Sequence, residues 1–254
     1  MAKRIGLALS GGGIRGISHA GALLAMEEFN IKPAIISGVS AGSIVGALYA
    51  DGYKPIEIAK MFEDIRFRRM TKLDVPAGGF FSIAPFGRFL GKKLRAKNFE
   101  DLNIPLKIVA SNFDTGIPET FSEGSLLKPI IASCSIPVLF VPQKIKNNHY
   151  VDGGLLKNFP VTTIKNDCDL VIGVNVGPLL SRDFNPSIID VAYRTYHYMF
   201  RANTLADLKV CDIIIEPENI YDFDLFETGK VMEIFDLGYK TAKNVLGAQM
   251  DKLI

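Results

Sequence analysis

The chain has 254 residues, 48% of them hydrophobic, with 29 Lys and Arg against 27 Asp and Glu and a formal charge of +2. That length suits one large domain spanning 1–254, since single α/β domains commonly reach roughly 200–250 residues, and the near-balanced charge argues against a nucleic-acid partner. Three cysteines, odd in number and in no CxxC pairing, argue against a disulfide scaffold or a cysteine metal site and fit a reducing, cytoplasmic compartment. The mean hydropathy of +0.20 is high for a soluble chain but suits a sheet buried on both faces. No run approaches the ~20 apolar residues of a membrane span, so any lipid contact is expected to be peripheral.

Arg4 to Ser10 reads as a first strand; its apolar part is too short for a secretory leader. Gly11-Gly12-Gly13-Ile14-Arg15-Gly16 follows, then a helical pattern from Ile17 to Phe29. Strand, glycine loop and helix suit two uses. One is a dinucleotide site, whose GxGxxG the glycines fit. That use wants an acid about 20 residues on, at the end of the second strand. The corresponding stretch, Ala34-Ile35-Ile36-Ser37, has none. The other use is an oxyanion hole, in which consecutive backbone N–H groups of Gly11, Gly12 and Gly13 point at one anionic oxygen.

The oxyanion reading is preferred because of what comes next. The apolar run Ala34 to Ile36 enters Gly38-Val39-Ser40-Ala41-Gly42, and a small-residue helical run continues to Ala50. Strand, sharp turn and helix around GxSxG form a nucleophile elbow, with the serine hydroxyl exposed at a helix N-terminus. One loop and one serine then explain each other.

Pro55 opens a helix to Glu63. Arg66 to Lys72 is basic with apolar residues interleaved, either a solvated helix face or a contact with anionic headgroups. Ala77 to Phe86 is rich in Gly and Phe, either a flap over an acyl site or a loop whose rings cap the core. Gly87 to Lys97 reads as a helix, Pro105 to Asn112 as a central strand, Asp114-Thr115-Gly116 as a turn, and Ser125 to Ser135 as a helix. His149-Tyr150-Val151 is a short strand that turns out through Asp152-Gly153-Gly154, leaving a carboxylate at a strand end. Asp169 to Val176 is a buried strand, Ser187 to Lys209 a long helix, Asp212 to Glu216 a last strand, and Phe226 to Met250 an amphipathic helix. This alternation predicts a three-layer α/β/α domain with a mostly parallel central sheet.

An activated serine needs a base. Of three histidines, only His197 follows Asp152, as the Ser…Asp…His order of α/β hydrolases requires. It lies in an aromatic helical stretch, where a helix-face role is the simpler reading. The alternative is a Ser40–Asp152 dyad, with burial raising the basicity of a carboxylate whose ordinary pKa is ~3.9.

Taken together and in order, the glycine loop, the Ser40 elbow and Asp152-Gly153-Gly154 resemble the patatin-like phospholipases. The likeness extends to Ile17-Ser18-His19-Ala20-Gly21, to Ala132-Ser133-Cys134-Ser135-Ile136-Pro137, and to Asn158-Phe159-Pro160-Val161. It runs from about Lys3 to Val176. The resemblance implies hydrolysis of lipid acyl esters by Ser40 as nucleophile and Asp152 as base. Gly11, Gly12 and Gly13 would be the oxyanion donors, with no catalytic histidine, metal or cofactor. Two other readings remain: a nucleotide-binding oxidoreductase, and a lipid-binding protein that kept the fold without turnover.

Overall fold

The computed structural model describes residues 3–63, 72–73, 79–177, 188–223 and 228–253. The strands in chain order are β1 (Ile5–Leu9), β2 (Ile35–Val39), β3 (Lys72–Leu73), β4 (Gly79–Ser82), β5 (Leu106–Asn112) and β6 (Ile117–Phe121). They continue with β7 (Val138–Phe140), β8 (Gln143–Ile145), β9 (Asn148–Asp152), β10 (Leu170–Val174) and β11 (Ile213–Ile215). The main sheet runs β11-β10-β1-β2-β5-β9-β8, with β6 also paired to β5. From β11 across to β5 the neighbours are parallel; β6 and β9 pair antiparallel to β5, and β8 pairs antiparallel to β9.

The parallel strands β1, β2 and β10 are buried along their whole length. This is why they read as continuous apolar runs rather than as alternation: both faces of the sheet are covered. Leu7 and Leu9 face one cluster with residues of α1 (Ile17–Glu28), α2 (Ala41–Ala50), α3 (Pro55–Glu63) and α7 (Val231–Ala248). Ala8 points the other way, toward Phe159, Val161 and Ile164, with Leu208 at the end of α6 (Ile188–Leu208) packed alongside. The expected layering of a mixed α/β fold is therefore present.

Among the described residues five strands lie beyond those expected: β3, β4, β7 and β8, of two to four residues each and too short for a periodic signal, and β6, whose five residues include none that is buried. β4 pairs with β3 and β7 in a second, three-stranded sheet. The helix α4 (Ala84–Lys93) starts before Gly87, because Pro85 takes a position in its first turn, where a missing N–H costs nothing. Ile83 is buried and Phe86 packs on the main core, so the described part of the Gly/Phe-rich stretch closes the core. Residues 66–71 and 74–78, which include most of the basic stretch, lie outside the described residues. Among the described residues no helix is long and apolar enough to cross a membrane.

α1 and α7 cross with their backbones in contact. A Cβ on Gly21 would lie 2.0 Å from the Phe235 carbonyl oxygen, and one on Gly238 would lie 2.1 Å from that of Ser18. Overpacking of this kind costs about 1–3 kcal/mol. Gly21→Ala should lower the thermal midpoint by several degrees, whereas Gly247→Ala, on α7, where an added Cβ meets nothing nearer than the Phe29 ring at 3.7 Å, should be neutral or slightly stabilising. Thermal denaturation of the two variants beside the parent checks the contrast.

Candidate active site

β2 ends at Val39, and Ser40 forms the junction with α2. Its backbone sits at φ 50, ψ −121, a strained conformation for an L residue that costs on the order of 1–3 kcal/mol. The glycines on either side make the turn possible. A Cβ on Gly38 would lie 2.5 Å from the Gly42 carbonyl oxygen, and one on Gly42 would lie 2.4 Å from that of Leu9. Substituted residues at either place would push strand and helix apart.

β5 lies between β2 and β9. Val39 is in register with Val109, and the next residue, Ala110, is in register with Asp152. Ser40 and Asp152 therefore emerge at the same level, one from each neighbour of a single strand. The Ser40 Oγ donates to Asp152 Oδ2 at 2.6 Å. The other carboxylate oxygen accepts the Gly154 N–H at 2.8 Å. Both residues are buried, at 8% and 1% exposure. Burial pushes the Asp152 carboxyl up to about 7, and the hydrogen bonds from Ser40 and Gly154 pull against it. That value suits a base working near neutrality.

The glycine loop closes over this pair. Gly11, Gly12 and Gly13 line a cavity of about 30 Å³ together with Ser40 and Asp152. The three glycines are not equivalent. The Gly11 N–H donates to the Asn158 carbonyl at 3.1 Å and is not directed at the cavity's contents. The N–H groups of Gly12 and Gly13, and that of Ala41 just after Ser40, have no hydrogen-bond partner among the described residues. Ala41 escaped the sequence reading, although its place after the serine was the available signal.

Arg15, 2% exposed, anchors the loop. Its Nε donates to the Phe223 carbonyl at 2.8 Å, and its guanidinium lies 4.7 Å from the centre of the Tyr221 ring. His19 is fully buried, with Nε2 donating to the Ser10 carbonyl at 2.9 Å; burial pulls its pKa down to about 4, so it stays neutral. His149 is exposed and pairs with Asp114 at 3.2 Å, and the same carboxylate accepts the His149 N–H at 2.6 Å, so Asp114 ties its turn to β9, away from the cavity lining. His197 lies on α6 and does line the cavity, its ring set edge-on to Tyr221. Yet the serine hydroxyl is bonded directly to Asp152, with no imidazole between them. The Cys134 thiol, close by, is held protonated by burial first and by the Asp152 charge second. Among the described residues no group of three or more His, Cys, Asp or Glu is arranged to hold a metal.

Comparison with known proteins bears on the same stretch. The family model described as patatin-like phospholipase matches residues 7–164. The protein named lysophospholipase NTE1 of Kluyveromyces lactis is 34% identical over 98% of this chain, which corresponds to 20% of the yeast protein. Its namesake from Saccharomyces cerevisiae is 33% identical over 69% of this chain and 11% of its own length. The chain thus spans about a fifth or less of the relatives it matches. Among solved structures, VipD from Legionella pneumophila superposes with a TM-score of 0.59 at 16% identity, covering 96% of this chain and 66% of VipD, a likeness of fold. The matched residues 7–164 carry the glycine loop, the Ser40 elbow and the Asp152 strand end in one span, and the chain belongs to the patatin-like phospholipase family.

Proposed function

We propose that this chain is a serine acyl hydrolase of lipid esters, with Ser40 as nucleophile and Asp152 as general base. The observation that carries the reading is the 2.6 Å bond from the Ser40 hydroxyl to the buried Asp152 carboxylate, in a cavity lined by the glycine loop. Asp152 takes the hydroxyl proton as Ser40 Oγ attacks the ester carbonyl. The carbonyl oxygen becomes an anion and receives the N–H groups of Gly12, Gly13 and Ala41, while Gly11 lets the substrate come close to the backbone. One such donor is worth about 2.7–4 kcal/mol in comparable sites. Collapse of the tetrahedral species passes the proton to the leaving alcohol. Water, deprotonated by the same carboxylate, then releases the fatty acid and restores the serine.

The names of the yeast relatives suggest single-chain phospholipids as the substrate class. Residues 1–254 act in this reading as one acyl-hydrolase domain that meets lipid at a membrane surface. A reducing, cytoplasmic setting fits the three unpaired thiols, Cys134, Cys168 and Cys211.

Ser40→Ala and Asp152→Asn should each lose on the order of a thousandfold or more in kcat on p-nitrophenyl esters, as removal of members of comparable catalytic sets does. His197→Ala should keep most of the activity. Full turnover by either of the first two variants would remove the mechanism.

The pH profile provides a separate check. Asp152 must be ionised to accept a proton, and its pKa lies at about 7. The kcat/KM of the parent should therefore rise through an acid limb centred near 7, falling about tenfold per unit well below it. A flat profile from pH 5 to 8 would place the working base elsewhere.

A further inference from the structure

Ser40 is held in its strained backbone by groups outside its own turn. Its N–H lies at the helix start, buried, with no intrahelical acceptor. Ser133, the last residue of helix α5 (Leu127–Ser133), supplies one: its Oγ accepts the Ser40 N–H at 2.8 Å and donates to the Val109 carbonyl at 2.6 Å. Val109 is the β5 residue in register with Val39, immediately before the serine. The same carbonyl packs against Gly153 so closely that a Cβ there would lie 2.2 Å from its oxygen. One hydroxyl therefore ties the nucleophile's peptide to the strand that also seats the base.

The next two residues complete the attachment. The Cys134 Sγ lies 3.9 Å from the Ser43 Oγ, which itself donates to the Ser40 carbonyl at 2.6 Å. The Ser135 carbonyl accepts the Asp152 N–H at 2.8 Å. Ser135 also shows what a buried serine at a helix end ordinarily does. Its hydroxyl turns back onto the Ile131 carbonyl four residues earlier, at 2.8 Å. The Ser133 hydroxyl instead leaves its helix, fully buried, and reaches Ser40.

We propose that Ser133 is a positioning residue for acyl transfer, its hydroxyl holding the Ser40 backbone so that Oγ meets both the Asp152 carboxylate and the substrate carbonyl. This rests on the Ser40–Asp152 reading above. The hydroxyl touches no reacting atom. Without it the Ser40 N–H and the Val109 carbonyl are both left unsatisfied in the interior, and the serine turn relaxes toward an ordinary conformation. A misplacement of about 1 Å at such a site costs roughly a hundredfold in rate.

The test uses the full chain, at a temperature well below each variant's thermal midpoint. A fluorophosphonate probe reports the reactivity of Ser40, located by mass spectrometry, and p-nitrophenyl butyrate hydrolysis reports kcat and KM. Ser133→Ala should lower the labelling rate and kcat together by about 10–100-fold, with KM within about twofold. Ser133→Thr, which keeps the oxygen, should recover both to within about threefold of the parent. Should the alanine variant fail to fold at any usable temperature, Ser133→Cys, a weak acceptor of similar size, is expected to show the same loss. Labelling by Ser133→Ala at the parental rate, a loss confined to KM, or a threonine variant as slow as the alanine would overturn the positioning role while leaving the dyad intact. A parent chain that fails to label at Ser40 would remove the dyad and the positioning role together.

Discussion

The structure turns on a short hydrogen bond placed where it is expensive to make. A carboxylate at 1% exposure loses its hydration, and the penalty appears as a pKa driven up to about 7. Two donors offset part of that cost, the Ser40 hydroxyl and the Gly154 N–H. The remainder leaves Asp152 basic enough to take a proton near neutrality, which an exposed aspartate does poorly. The serine has its own cost in a φ of 50. Neither residue could hold these states in a loop. Both are fixed because β2, β5 and β9 are adjacent strands with their register locked by burial of the sheet.

The glycine loop shows how one local pattern serves different chemistry according to what surrounds it. Gly11 to Gly16 satisfies the spacing of a dinucleotide loop, and strand and helix flank it as that use requires. The next crossover delivers a serine instead of an acid beside the loop, which favours the oxyanion use proposed above. The loop is then pinned from three directions: Gly11 to Asn158, Arg15 to Phe223, and the Ser10 carbonyl to His19. A pinned loop with unpartnered N–H groups beside Ser40 is what the proposed oxyanion stabilisation would demand.

The matched span of the family ends at residue 164, yet the site does not. Val176 after β10, and His197 and Phe200 on α6, complete the wall of the cavity, and the Phe223 carbonyl holds Arg15. Asn203 on the same helix accepts the Asn158 N–H at 2.7 Å and donates to the Gly154 carbonyl at 2.9 Å, so it braces both the glycine loop's anchor and the turn after Asp152. The described residues after 164 thus help hold in place the groups that the proposed mechanism uses.

Much of this was legible in the order of residues. Apolar runs such as Ala34 to Ile36 imply strands covered on both faces, Gly-x-Ser-x-Gly between strand and helix implies a serine on a sharp turn, and Asp152 before two glycines implies a carboxylate at a strand end. These are local consequences of side-chain volume, backbone freedom and period; that the serine is buried rather than exposed was not implied. Pairing was beyond them. That β5 separates β2 from β9, that the Gly11 N–H is taken by Asn158 while Gly12, Gly13 and Ala41 are left unpartnered, and that Ser133 reaches the Ser40 amide all depend on contacts between segments far apart in the chain. His197 illustrates the limit from the other side: its helix was evident, but only packing decided that the helix would face the cavity while the serine bonded to aspartate. Local sequence determined which groups exist and how each segment bends; the tertiary structure decided which of them meet, because register and burial are properties of the assembled sheet.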